Sequence, residues 1–172
     1  MSDAPDGSLL PILLDSWDRN HTVMLNLLRA LPEGGLGARA TASSPSVAQQ
    51  FTHIHHERLV SVLEEAPEFA RNVPKEAWPE EEWMDERDRE RLAQMLGVSA
   101  EAVRDAVKGR VEAGRKLDLN YEHPVLLLQL MLWHEGYHHG QIKLALKLSG
   151  CPIRDEEAGP MTWDVWRGRA ER

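Results

Sequence analysis

The stretch EHPVLLLQLMLWHEGYHHGQIKLALKLSG, residues 122–150, has a proline at its third position, closes on a glycine and is among the most apolar passages of the chain. Proline is tolerated in the first turn of a helix, and glycine suits the position just past its end. With Leu127 as zero and about 100° per residue, Leu130, Met131, His134, His138, Gln141, Ile142, Ala145 and Leu148 all fall within about 60° of it. His139 points about 120° away, towards a flank. The spacing therefore predicts one long helix with two imidazoles, one turn apart, on its core face. That i, i+4 pair can present both rings to a single metal ion. Without an ion, each buried ring needs a hydrogen-bond partner.

Three more long helices are expected around this one. The first runs from a Ser8 cap to about Leu31, with Leu10, Leu13, Leu14, Trp17, Met24, Leu28 and Leu31 at helical spacing and Pro11 in its first turn. His21 shares that stripe and reads as a core-edge histidine bonded to a neighbour. The second starts at Ser44 as cap with Pro45 in the first position, continues through FTHIHHERLVSVLEEA, and stops before Pro67. The third starts at Ser99 as cap, on a Val103, Val107, Val111 row. Between the second and third lies a proline- and charge-rich insertion holding a short helix over residues 85–96. Its charge run reads as a solvated face, with Trp78 and Trp83 set to lie over a pocket or a partner. The tail after Gly150 reads as extended, anchored by Trp163 and Trp166. No strand-period segment or internal repeat is present. The fold class expected is all-α, a four-helix bundle forming a single domain over residues 1–172.

Composition removes several function classes. The net charge of the 172 residues is −8 with histidine neutral, and no basic stripe offers phosphate neutralisation, so nucleic acid is not an expected partner. No apolar run approaches the ~20 residues of a membrane span. The first residues lack a basic region followed by a long apolar one and are not expected to act as a signal peptide. Cys151 is the only cysteine, which excludes an intramolecular disulfide and suits a reducing, cytoplasmic setting. It reads as a small apolar residue.

On the second helix HIHHE, residues 53–57, brings further candidates. His53 and Glu57 are i, i+4, His53 and His56 are i, i+3, and His53 lies at the edge of the Val47, Phe51, Ile54, Val62 face. Periodicity does not choose between His53 and His56. On the last helix HEGYH matches the zinc-protease pattern H-E-x-x-H literally, which raises metal-assisted hydrolysis with Glu135 or Glu57 as base. Glu135 points off the apolar stripe, and no third ligand of the protease type follows. Tyr137 is offset from the stripe and reads as packing.

Two motifs, in order and on the expected helices, resemble one family. SVAQQFTHI is similar to the second-helix motif of the DinB/YfiT-like superfamily of bacterial four-helix-bundle metalloproteins, and HEGYHHGQI to its last-helix motif H-E-x-x-H-x-G-Q-I. The ending WDVWR resembles many members too. The resemblance implies His53, His134 and His138 as metal ligands, so it prefers His53 to His56. It implies zinc or nickel, a homodimer, and in some members transfer of bacillithiol or a similar small thiol to an electrophile, within stress response or detoxification. His139 stands where an arginine is common, and the acidic insertion departs from a minimal member.

Three neutral imidazoles leave a divalent ion its full charge and an open position, the arrangement of catalytic zinc sites. Such an ion lowers the pKa of a bound water or thiol towards neutrality. Glu57, Glu135 and Gln141 are the candidates for orienting the rings or moving protons. The expected function is a metal-dependent thiol S-transferase. The alternatives are a hydrolase and a non-catalytic, stress-related metal-binding dimer.

Overall fold

The computed structural model describes residues 9–168; Ser8, the expected cap of the first helix, lies outside them. Every regular element among these residues is helical. Four helices are long: α1 (Leu9–Arg29), α2 (Val47–Glu65), α4 (Arg89–Glu112) and α5 (Val125–Leu148). Three are short: α3 (Pro67–Ala70), α6 (Asp155–Met161) and α7 (Trp163–Arg167). No described helix is long and apolar enough to cross a membrane.

The start of α2 differs from expectation by two residues, for a local reason. Ser46, not Ser44, is the N-cap: its Oγ accepts from Gln49 N at 3.1 Å, and Gln49 Oε1 accepts from Ser46 N at 2.9 Å. This reciprocal capping box satisfies two backbone donors that a helix start otherwise leaves free. At the other end of the chain Gly150 adopts φ 77°, while Cys151 N donates to Leu146 O and Gly150 N to Lys147 O. That pair of bonds closes α5 as a Schellman motif.

The helix expected from Ser99 begins a decade earlier. Residues 85–96 do not form a separate helix; α4 is continuous from Arg89, capped by Asp88, whose Oδ1 accepts from Glu90 N and Arg91 N. Ser99 is buried inside it, and its hydroxyl donates to Leu96 O. Gly97 and Ser99 each cost a helix interior at most about 1 kcal/mol. The face Leu92, Leu96, Ser99, Val103, Ala106, Val107 stays buried without a break, and that burial outweighs the propensity cost.

The core forms two clusters. One holds Trp17, Leu59, Val62, Val103, Val107, Leu127 and Met131; the other holds Met24, Leu28, Phe51, Ile54, Leu92, Leu96, Ile142 and Leu146. Read along the chain, α1 and α5 run from the first cluster to the second, and α2 and α4 run the opposite way. The successive long helices α2 and α4 are therefore parallel neighbours, and parallel neighbours need a connection that returns the full length of a helix. Residues 66–88 make that return. Between the clusters each long helix contributes a polar residue: Asn20, Arg58, Ser99 and Glu135, all buried.

The tail is not extended. It forms α6 and α7, held to α1 through backbone carbonyls: Arg19 Nη1 donates to Val165 O at 2.7 Å and Asn26 Nδ2 to Met161 O at 3.1 Å. Trp163 and Trp166 are exposed and do not anchor it by burial. Cys151 is half-buried against the second core cluster, as a small apolar residue would be.

Candidate metal centre

A pocket of about 510 Å³ opens between α2 and α5. From α2 comes His53, and from α5 come His134 and His138. The Nε2 atoms of His53 and His138 lie 3.2 and 3.1 Å from His134 Nε2. One ligand nitrogen of each ring falls within 4.8 Å of the others. Two nitrogens on one zinc at about 2.1 Å stand roughly 3.0–3.4 Å apart, from right-angled to tetrahedral geometry. The observed separations lie inside that range. The residues present fit one divalent cation.

The remaining ring atoms support the same reading. The Nδ1 atoms of His53, His134 and His138 are buried without an aligned hydrogen bond. His53 Nδ1 does sit 2.9 Å from Glu82 Oε1, off the line of the N–H but close enough to favour a proton on Nδ1. A proton on Nδ1 leaves the Nε2 lone pair free to face the centre. Burial first, then the neighbouring imidazoles, brings His53 and His138 down to about 4, and burial lowers His134 as well. The rings are therefore neutral at pH 7, the form that ligates metal.

The lowered values carry a stability consequence. Burial also takes His21 and His55 down to about 4. In the unfolded chain these groups bind protons near pH 6.5. Their contribution is present in full above about pH 6.5 and is lost as pH falls towards 4, because the unfolded state then binds more protons. Metal-stripped protein should show a lower urea midpoint at pH 5 than at pH 7.5; equal midpoints would contradict the neutral, buried histidines.

Glu135, the residue after His134, is paired with Arg58, five residues after His53. Both side chains are fully buried, with Arg58 Nε and Nη2 each donating to a Glu135 oxygen at 2.7 Å. Asn20 Nδ2 adds a 2.6 Å bond to Glu135 Oε2, and Arg58 Nη1 donates to Leu96 O at 2.9 Å. The guanidinium also lies 4.9 Å over the Trp17 ring. Glu135 thus points into the core, with both oxygens taken by Arg58 and one shared with Asn20. It is not aimed at the histidine centre as a free base.

Segment 66–88 contributes Trp83 to the pocket wall. Trp83 stacks on His53, with ring centroids 3.9 Å apart and planes 5° from parallel. It is held there from α2: Gln49 Nε2 donates to Trp83 O, Thr52 Oγ1 to Met84 O, and Ser46 Oγ to Asp85 Oδ1. His55, fully buried, has its Nε2 2.6 Å from Ala77 O and ties down the same segment.

Of the other residues singled out in the sequence, Gln141 lines the pocket beside His138. Glu57 gathers instead with His53 and Glu82, outside the three-histidine group and the pocket lining. Burial raises its carboxyl pKa. His56 does not join the three histidines. His139 is half-buried on the flank, and His21 is half-buried with no partner at Nδ1, rather than bonded there to a neighbour. Tyr137 lines the pocket instead of packing in the core. Sequence reasoning did not single out Gln50, Arg58 or Glu82. A signal existed for Arg58, which occupies the gap between Ile54 and Val62 on the buried face of α2.

Four long helices with a three-histidine pocket opening between two of them define a helical protein with a metal-type centre. The family model of the DinB family matches residues 1–155, and the chain belongs to that family. No curated protein and no solved structure gives a significant match.

Proposed function

We propose that this DinB-family chain is a single-domain four-helix bundle that binds one divalent ion, zinc or nickel, and transfers a low-molecular-weight thiol to an electrophilic small molecule. The observation that carries the reading is the convergence of three Nε2 atoms at the edge of a pocket large enough for substrate. An ion held there would supply positive charge that favours the thiolate over the thiol near neutral pH, a small shift from about 8.5. His53, His134 and His138 provide the ligand set and Glu82 favours the Nδ1–H form of His53, while Trp83, Gln141 and the pocket walls orient the partner. In the transfer the thiol proton is released, an S–C bond forms, and the electrophile's leaving group or adjacent atom takes the displaced electron pair.

Hydrolysis with Glu135 as base is less well supported, because both its oxygens are engaged by Arg58. The proposal includes a homodimer and a cytoplasmic setting. Exposed Leu126 and Leu148 on α5, outside the pocket lining, support a second copy as partner. Metal-loaded protein should accelerate addition of a small thiol to a panel of alkylating and arylating electrophiles, and the stripped protein should not. Metal binding with no acceleration across the panel would leave a stabilising metal site without this activity.

A further inference from the structure

The walls of the pocket are uncharged. Beside the histidines they include Trp83, Trp133, Tyr137 and Leu144, the amides of Gln50 and Gln141 and the hydroxyl residue Ser44, and no Lys, Arg, Asp or Glu lines them among the described residues. Fixed charges of both signs stand behind the lining: Glu82 against His53 Nδ1, and Arg39, whose Nη1 is committed to the backbone oxygen of Ser44. No guanidinium or ammonium lines the cavity to replace the water of an entering carboxylate, which is how proteins ordinarily bind that group.

Gln50 makes the pocket's requirement more specific. It lies on α2 one turn before His53, is 4% exposed and lines the cavity, yet its Oε1 is buried with no hydrogen-bond partner. A buried acceptor left unmatched is costly, and a ligand bearing an N–H or O–H at that point removes the cost. The flat surfaces are already arranged: Trp83 stacks on His53, and Trp133 lies 6.3 Å from Tyr137 with the rings 18° from parallel.

We infer that the pocket takes an uncharged ligand with a flat apolar group, which donates a hydrogen bond to Gln50 Oε1, and that it discriminates against carboxylate-bearing thiols. This rests on the proposed function only in placing the ligand's sulfur at the histidine centre. The walls themselves do not depend on an ion.

The test compares two thiols of nearly identical shape, 4-mercaptobenzamide and 4-mercaptobenzoate. Each is titrated into the full chain, with and without nickel, and followed by tryptophan fluorescence, with metal content measured on the same samples. The amide should bind at least about 10-fold more tightly, the scale of one matched buried polar group. Gln50→Leu should shrink that preference without changing metal content, and Trp83→Ala should weaken both thiols. Equal binding, tighter benzoate binding, or no binding of either thiol would overturn the inference. A preference that persists in protein unable to hold metal would uphold it and remove the proposed function instead.

Discussion

His134→Ala should strip the protein of its metal. His134 is the hub of the centre: its Nε2 lies within 3.2 Å of both other Nε2 atoms, which bond to it and not to each other. Mutations of groups that merely support ligands cost about 10–100-fold in metal affinity, and loss of a ligand should exceed that. Elemental analysis of untagged protein should therefore show the ion in wild type and next to none in the variant. Stability supplies an independent readout. An ion that binds only the folded state raises Tm as its concentration rises above Kd. Wild type should thus lose thermal stability on chelation, whereas His134→Ala should melt at one temperature with or without chelator. The variant should still fold, since His134 is only partly buried and its Nδ1 has no protein partner. Unchanged metal content in His134→Ala would remove the metal centre from the account of this protein.

How much of this was legible in the sequence depends on the kind of signal each residue leaves. The helical identity of residues 125–148 and the pairing of His134 and His138 on one face follow from spacing alone. The phase of the buried face does not. In the structure Leu127, Leu128, Met131, Glu135, His138, Ile142, Ala145 and Leu146 are buried. The centre of that set is rotated by about 50° from Leu127, at about 100° per residue. Near its N-terminal end α5 is apolar almost all round, at Leu126, Leu127, Leu128 and Leu130, so composition alone leaves the rotation free by tens of degrees. The rotation accounts for several residues at once. It brings Glu135 into the core, leaves His134 and Gln141 at the pocket edge, and turns Leu148 out to 60% exposure. The break expected before Ser99 was a propensity signal that continuous burial overrode. Trp83 was legible as an aromatic in need of a surface, but its seat on His53 depends on hydrogen bonds from Ser46, Gln49 and Thr52 to segment 83–85, which no spacing encodes. In the sequence the long connection has the character of an insertion. The parallel course of α2 and α4 makes it a structural requirement of the path as well.

Glu135→Ala should destabilise the metal-free protein by about 3–5 kcal/mol, the cost of removing one partner from a buried ion pair. The cause is what remains. Arg58 is fully buried, and its Nε and Nη2 would lose their acceptors and counter-charge, with Nη1 held only by Leu96 O and, at 3.5 Å, Ser99 Oγ. Asn20 would lose its bond as well. Glu135→Gln keeps the shape but not the charge, and should fall between wild type and the alanine variant in urea denaturation followed by helical circular dichroism. A loss below about 1 kcal/mol in Glu135→Ala, the scale of an exposed pair, would contradict full burial of the fork. The double replacement Arg58→Met with Glu135→Leu separates two roles of the pair. Apolar residues of similar volume commonly replace a buried pair at no cost in stability, so the double variant should recover most of what the single variant loses. It should not recover the alignment of α2 with α5. Arg58 lies five residues after His53 and Glu135 one after His134, so their two parallel 2.7 Å bonds set the register at which the ring nitrogens meet. Metal affinity in the double variant should then stay about 10–100-fold below wild type despite a stable fold, the range found when support for metal ligands is removed. If stability and metal affinity recover together, apolar packing alone sets the register and the fork contributes only stability.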